Sequence, residues 1–211
     1  MTNIGFLRHG ETEWNREHRF LSFTDIRLSA EGTNNLKQSL REVSSFRPFT
    51  VITSPLTRCL QSAEIAFEDL GASEILVWDD LVEVNFGSFE GMTHEELTSG
   101  PLASQFSAWL NPDSESAGAP MGESWADVER RAETVLSRLS GFRSDVLVVG
   151  HGYLIRVLLV KALVGLSPKF LRTLEIANSS LSIISNKRGY WRLEVHNTSS
   201  HFLNWNGIRV Q

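Results

Sequence analysis

Short apolar runs at residues 3–7, 50–53, 75–78 and 145–149 alternate with longer stretches whose apolar positions recur at helical spacing. This alternation is the strongest constraint on the chain. Strands that follow one another through a helix are joined as crossovers, and crossovers build a parallel sheet with helices covering both faces. The run 145–149 has four apolar residues of five and reads as a fully buried strand. Ser29 is placed to cap a helix reaching about residue 46, with Leu36, Leu40 and Val43 on one side. Ser54-Pro55 supplies a cap and a first-turn proline for a helix carrying Leu60, Ala63, Ile65 and Phe67. Ser124 opens a long helix to about residue 139, and 152–164 forms another. Residues 181–185 and 191–196 read as an antiparallel pair around Lys187-Arg188-Gly189. The periodicity weakens at about 84–122. There Thr93-His94-Glu95-Glu96 is a capping box for a short helix, 105–110 makes a second, and 111–122 is a Pro/Ser/Gly/Ala loop. The expected architecture is a single α/β domain over 1–211, with that segment as an insertion above the sheet.

The composition narrows the class. At 41% hydrophobic and 21% charged, 211 residues bury a real core. Twenty Lys and Arg against twenty-five Asp and Glu give a net charge of −5, the wrong sign for duplex nucleic acid or anionic lipid, while leaving room for a small basic pocket. Cys59 is the lone cysteine, which excludes an internal disulfide and a multi-cysteine zinc site and fits a reducing compartment. The apolar run at 4–7 is cut by Arg8 and His9, unlike a signal peptide, and the longer apolar segments are interrupted by Arg156, Lys161 and Lys169. The expectation is a soluble cytoplasmic protein, monomer or homodimer, whose partner is a small molecule, with no nucleic acid and no membrane.

Several motifs fail on inspection. Gly150-His151-Gly152 imitates a dinucleotide fingerprint, but Ile155 stands at the third glycine position and only about sixty residues follow. Gly122-Glu-Ser124-Trp-Ala126 imitates a nucleophile elbow, but a loop precedes it where a strand is needed, so Ser124 reads as a helix cap. A cysteine phosphatase places an arginine six positions after its cysteine, and the residue six after Cys59 is Ile65. His196 and His201 lack the further ligands of a metal site.

Four pieces survive, each at the carboxyl end of an expected strand or at the helix start beyond it: Arg8-His9-Gly10-Glu11-Thr12, Ser54-Pro-Leu-Thr-Arg58, Glu83 with Gly87 and Gly91, and Gly150-His151-Gly152. Ligands of open α/β sheets bind at that rim. Two arginines and two histidines converging there make a positive pocket on an acidic protein, and the chemistry suits a phosphoryl group. Arginine forks pair with phosphate oxygens. A neutral imidazole is a nucleophile that splits one displacement into two. A second histidine, if protonated, stabilises the equatorial oxygens. A carboxylic acid protonates the departing alcohol and then activates water. With those cationic and donor side chains, neither metal nor cofactor is called for.

These residues resemble a family. Phe6-Leu-Arg8-His9-Gly-Glu-Thr-Glu-Trp-Asn15 is similar to the signature of the histidine phosphatase superfamily, in its phosphoglycerate-mutase-like branch. The likeness continues through Asp25, Leu28 and Gly32, Ser54-Pro-Leu-Thr-Arg58, Glu83-Val-Asn-Phe-Gly87-Ser-Phe-Glu90-Gly91, Gly122-Glu-Ser124, Val148-Val-Gly-His151-Gly-Tyr-Leu-Ile-Arg156 and Asn178-Ser-Ser. The resemblance implies a three-layer α/β/α fold with a mostly parallel sheet and a small helical insertion over the active site. It implies His9 as the phosphorylated nucleophile and Glu83 as proton donor. Arg8, Arg58, His151 and Gly152 would line the phosphate pocket, and Asn15 would add a contact. Leu21 and Ser22 stand where the family often has Gln-Gly, leaving the apolar patch Phe20-Leu21-Ser22-Phe23 at the mouth, and Phe89 replaces a usual Trp. The implied activity is hydrolysis of a small phosphomonoester without a metal. The alternatives are a phosphoglycerate mutase and a non-catalytic phospholigand- or protein-binding module. Residues 99–122 hold no Arg, Lys or Tyr to grip a phosphocarboxylate, which favours the phosphatase, and the presence of both His9 and Glu83 disfavours the binding module.

Overall fold

The computed structural model describes residues 2–110, 118–163, 171, 173–187 and 190–199. Its six-stranded sheet has the order β3-β2-β4-β1-β5-β6, with β1 at Asn3–Arg8, β2 at Thr50–Thr53, β3 at Glu74–Val77, β4 at Val146–Gly150, β5 at Leu181–Lys187 and β6 at Tyr190–Thr198. β1 to β4 pair in parallel, whereas β5 runs antiparallel to both β1 and β6, so the sheet is parallel in its first four places and closes in a hairpin. The turn of that hairpin, at 188–189, lies outside the described residues.

The alternation of side chains along the strands builds two cores. Ile4, Phe6, Ile52, Val146 and Val148 face one way, against α6 (Trp125–Ser140) and α7 (Gly152–Ala162). Leu7, Val51, Leu147 and Val149 face the other, against α2 (Ala30–Glu42) and α3 (Thr57–Leu70). Central β4 is buried at every position, which is why its sequence is apolar throughout rather than alternating. Between β3 and α6 the chain runs through two short 3-10 turns, α4 (His94–Ser99) and α5 (Ala103–Leu110). Phe86, Phe89, Phe106 and Trp109 of this stretch pack edge to face, with stacking only between Phe106 and Trp109. The loop expected at 111–122 is described only from 118, where Gly118 bridges Ser124.

Two boundaries differ from expectation for identifiable reasons. α2 stops at Glu42, and the chain turns so that Phe46 packs beside Gly5 of β1, where a Cβ would approach its ring to 2.9 Å. α3 begins at Thr57, with Leu56 rather than Ser54 in the capping position and Pro55 ahead of the helix. The Ser54 hydroxyl is turned to His151, 2.9 Å away, and the open end of α3 is capped instead by Asp25, which accepts from the Thr57 amide at 2.7 Å and its hydroxyl at 2.6 Å. Ser124 does cap α6, in a reciprocal box with Asp127, as its position after a loop implies.

The register positions the site. Arg8 pairs with Gly150 and Thr53 with Val149, so β1, β4 and β2 end on one rim. His9, His151 and Ser54, each one residue beyond, are therefore neighbours.

Candidate active site

His9 leaves β1 with its amide on the Gly150 carbonyl, 3.0 Å away, while Ser179 donates to the carbonyls of Arg8 and His9. The loop that follows lies against the start of α2. A Cβ on Gly32 would sit 2.1 Å from the Glu11 carbonyl, so only glycine lets the two backbones meet. His9 Nδ1 is 2.7 Å from the Gly10 carbonyl oxygen. Because that partner can only accept, Nδ1 carries the proton and Nε2 keeps its lone pair. Burial, then the charges of Arg58 and Arg8, hold the imidazole well below its ordinary pKa of 6.5. His9 is a neutral imidazole with a fixed tautomer, the form a nucleophile needs.

The His151 ring stands 5.2 Å from the His9 ring, centroid to centroid, inclined at 65°. Its Nε2 lies 2.9 Å from Ser54 Oγ and 3.4 Å from Cys59 Sγ. Burial, then Arg58, His9 and Arg8, push its pKa well below 6.5 as well. The condition set from sequence, that the second histidine be protonated, is not favoured here: an imidazolium would sit unsolvated beside two guanidinium groups. Cys59 is buried, and its thiol is pushed up to about 12, chiefly by desolvation. It is no thiolate nucleophile.

Arg8 donates through Nη1 to the Ile176 carbonyl at 2.7 Å, its Nε is buried without a partner, and burial lowers its pKa to about 10. Gly152, opening α7, lies against this guanidinium; a Cβ there would come within 3.1 Å of Cζ. Arg58 is wholly buried, donating through Nη2 to the Ser22 carbonyl at 2.6 Å and through Nη1 to that of Thr24 at 3.0 Å, with Nε unpartnered. Glu83 Oε1 accepts from the Val84 and Leu154 amides at 2.9 and 3.0 Å, and Oε2 from the Tyr153 amide at 3.1 Å. The first turn of α7 thereby orients the carboxyl group.

Asn15 joins Thr12 in a capping box at α1 (Glu13–Arg16), and its Oδ1 also accepts from Asn178 at 3.1 Å. With that oxygen occupied, a phosphate contact from Asn15 falls to its amide nitrogen. Arg8, His9, Asn15, Leu21, Glu83 and Gly152 line a single cavity of about 970 Å³. Arg58 and His151 stand behind its surface, both with no solvent exposure. Ser22 does not reach the cavity: its hydroxyl donates to the Val84 carbonyl at 2.8 Å, and its own carbonyl holds Arg58.

The cavity has further lining residues: Phe20, Phe86, Trp109 and Tyr153 supply aromatic rings, and Asn178, Glu175 and Arg156 supply polar groups. Tyr153 and Arg156 were readable: positions one and four after Gly152 fall on the same face of a helix that Gly152 turns toward the site. Phe20 belongs to the apolar patch read at the mouth, whereas Glu175 carries no such signal. Among the described residues no cluster of three or more His, Cys, Asp and Glu is arranged to hold a metal. His196 is near Ser182 on β5, away from the cavity residues, and His201 lies outside the described residues.

The chain is similar to several known proteins. The "uncharacterized phosphatase PhoE" of Bacillus subtilis is 32% identical over 203 residues, covering 95% of this chain and 97% of that protein. A "probable phosphoglycerate mutase GpmB" of Yersinia enterocolitica is 31% identical over 193 residues, covering 90% and 88%. The solved structure of a mycobacterial glucosyl-3-phosphoglycerate phosphatase in complex with VO3 superposes with a TM-score of 0.81 at 25% identity, over 94% of this chain and 100% of that one. The signature of the histidine phosphatase superfamily (branch 1) matches residues 4–199, and the chain belongs to that family.

Proposed function

We propose that the chain is a metal-independent phosphatase that hydrolyses a small phosphomonoester through a phosphohistidine at His9. His9 Nε2 attacks phosphorus, the N–P bond forms, and the P–O bond to the alcohol breaks. The leaving oxygen takes a proton from Glu83. In the second half Glu83 takes a proton from water, the hydroxide attacks phosphorus, and the N–P bond breaks to release inorganic phosphate. Arg8, Arg58 and the N–H of His151 receive the charge on the equatorial oxygens. His151 acts as a donor rather than as a pre-formed cation. The observation that carries the reading is His9 itself, neutral, with Nδ1 tied to Gly10 and Nε2 free, beside arginines whose Nε atoms have no partner.

Phosphatase is favoured over mutase by the composition of the insertion, whose Trp109 and Leu110 line the cavity. Retaining a phosphocarboxylate until it is rephosphorylated calls for cations there, and residues 99–122 supply no Arg, Lys or Tyr. The lone buried thiol of Cys59 supports a reducing, cytoplasmic location.

The test is a panel of phosphorylated metabolites assayed for phosphate release, with 3-phosphoglycerate plus catalytic 2,3-bisphosphoglycerate assayed for isomerisation. Phosphate release and an acid-labile phosphoenzyme are expected. Isomerisation without release assigns a mutase, and absence of both assigns a binding module. His9→Ala is expected to lower turnover by more than about a hundredfold while leaving the circular dichroism unchanged.

A further inference from the structure

Glu83 reaches the cavity on a stretch that no strand or long helix fixes: one 3-10 turn ends at Leu81 and the next begins at Gly87. The amides of Val84, Tyr153 and Leu154 orient its carboxyl group. That orientation serves proton transfer only if the backbone beneath it is held as well.

An ion pair that does not line the cavity grips this backbone on both sides of Glu83. Arg131, from α6, donates through Nη1 to the carbonyls of Val82 at 2.7 Å and Asp80 at 3.0 Å. Its Nε and Nη2 meet Glu123 Oε1 and Oε2 at 3.1 and 2.7 Å. Glu123 Oε2 accepts in turn from the Asn85 amide at 2.8 Å, and the Glu123 amide donates to the Asn85 carbonyl at 3.0 Å. The residue before Glu83 and the residue two after it are thus tied to one guanidinium–carboxylate unit. The two segments touch directly. A Cβ on Gly122 would stand 2.3 Å from the Asn85 carbonyl oxygen, and one on Gly87 would stand 2.1 Å from that of Pro120.

Two features separate this pair from a surface bridge. Its side chains are 13% and 21% exposed, against 44% and 40% for Arg138 and Asp80 nearby. Its remaining donors and lone pairs also go to main chain. A half-buried pair is weak evidence for stability, whereas a planar fork bonded to two carbonyls and a carboxylate fixes position.

Resting on the phosphatase reading above, we propose that Arg131 and Glu123 are positioning residues that set the reach of Glu83 toward the leaving oxygen. A misplacement of about 1 Å costs up to about a hundredfold in a step that depends on such reach.

The experiment compares kcat/KM for glycerol 3-phosphate, whose alkoxide needs the proton, with that for nitrophenyl phosphate, whose phenolate needs little help. Arg131→Lys keeps the charge and loses the fork; Glu123→Gln keeps the shape and loses the charge. Each is expected to lower the alkyl-to-aryl ratio roughly tenfold to hundredfold, while the calorimetric affinity for inorganic phosphate stays near that of the wild type. In a Glu83→Gln background, Arg131→Lys should leave the ratio where Glu83→Gln alone puts it, because the group being positioned is gone. Equal losses on both esters, no loss on either, or a further fall of the ratio in that background would each overturn the proposal. Hydrogen exchange supplies a readout that needs no turnover. The Val84, Tyr153 and Leu154 amides should exchange about tenfold faster in Arg131→Lys, with the β4 amides unchanged. Faster exchange throughout β4 in both variants would make the pair a stabiliser of the fold and overturn its positioning role. If the wild-type chain hydrolyses neither ester, the phosphatase assignment fails; if the three amides keep their protection, this inference fails.

Discussion

Replacing Glu83 by Gln tests the proton donor, and the structure shows that this substitution is less conservative than it looks. Oε1 accepts from the Val84 and Leu154 amides and Oε2 from the Tyr153 amide. A glutamine can keep its carbonyl oxygen on the first two. Its NH2 group then faces the Tyr153 N–H, donor against donor. The change loses one hydrogen bond and leaves the Tyr153 N–H facing a donor, about 1–3 kcal/mol. That cost moves the side chain and lowers the rate on every substrate alike. The chemical loss is selective. An alkoxide leaves poorly without a proton, so an alkyl phosphate should lose a further hundredfold or more, in the usual range for general acid catalysis, whereas nitrophenolate needs little help. The quantity to measure is kcat/KM for glycerol phosphate and for nitrophenyl phosphate, because it stops at the first irreversible step, transfer to His9, and excludes the later activation of water. The expected result is a loss about a hundred times larger for the alkyl ester. Equal losses on the two substrates would remove Glu83 from the role and turn attention to Glu11, which lines the same cavity.

Treatment with EDTA is expected to leave the rate unchanged, and inhibition reversed by a divalent cation would refute the metal-independent reading. Orthovanadate, which adopts five-coordinate geometry, should inhibit competitively, and a calorimetric vanadate affinity undiminished in His9→Ala would show that it binds elsewhere. Stability should fall with acidification. His9 and His151 are held well below 6.5 when folded and return to about 6.5 when unfolded, so below that pH the unfolded chain binds more protons and stability rises with pH. The contribution is complete above 6.5 and is lost as pH falls toward the folded values. Two such groups amount to about 2–3 kcal/mol between pH 7.5 and 5.5, readable by urea denaturation. Equal unfolding free energies at the two pH values would contradict two buried neutral imidazoles.

The strands and long helices were legible because each carries a period of its own. β4 announces burial by four apolar residues in succession, and Ser29, Thr93 and Ser124 cap helices as their local sequence requires. What was not legible depends on partners distant in sequence. Ser54 looks like a helix cap until His151, ninety-seven positions away, takes its hydroxyl and Asp25 caps α3 from another loop. Ser22 stands at a position that reads as pocket mouth, yet its side chain is spent on Val84 and its carbonyl on Arg58. A motif states which residue types gather at the rim; it does not state which of them face the cavity. His9 and Glu83 do, while Arg58 and His151 work from behind.

That layering bears on the chemistry. Two imidazoles and two guanidinium groups packed together without solvent repel further positive charge, and the rings respond by remaining unprotonated. Burial first and the arginines second thus keep His9 unprotonated at a pH where a solvated histidine would be partly protonated, the form the proposed nucleophile needs. A phosphate dianion reverses the field. On the proposed mechanism its charge would satisfy the open Nε donors and offset the repulsion from Arg58 and Arg8 that adds to burial in keeping His151 neutral, so the second histidine would become a stronger donor only when there are equatorial oxygens to stabilise. The same side chains thus prepare a nucleophile in the empty site and an electrophilic clamp in the filled one. A neutral ligand would meet the first state and never produce the second, which is why selectivity for anionic esters is built into the protonation of the site as well as into its shape.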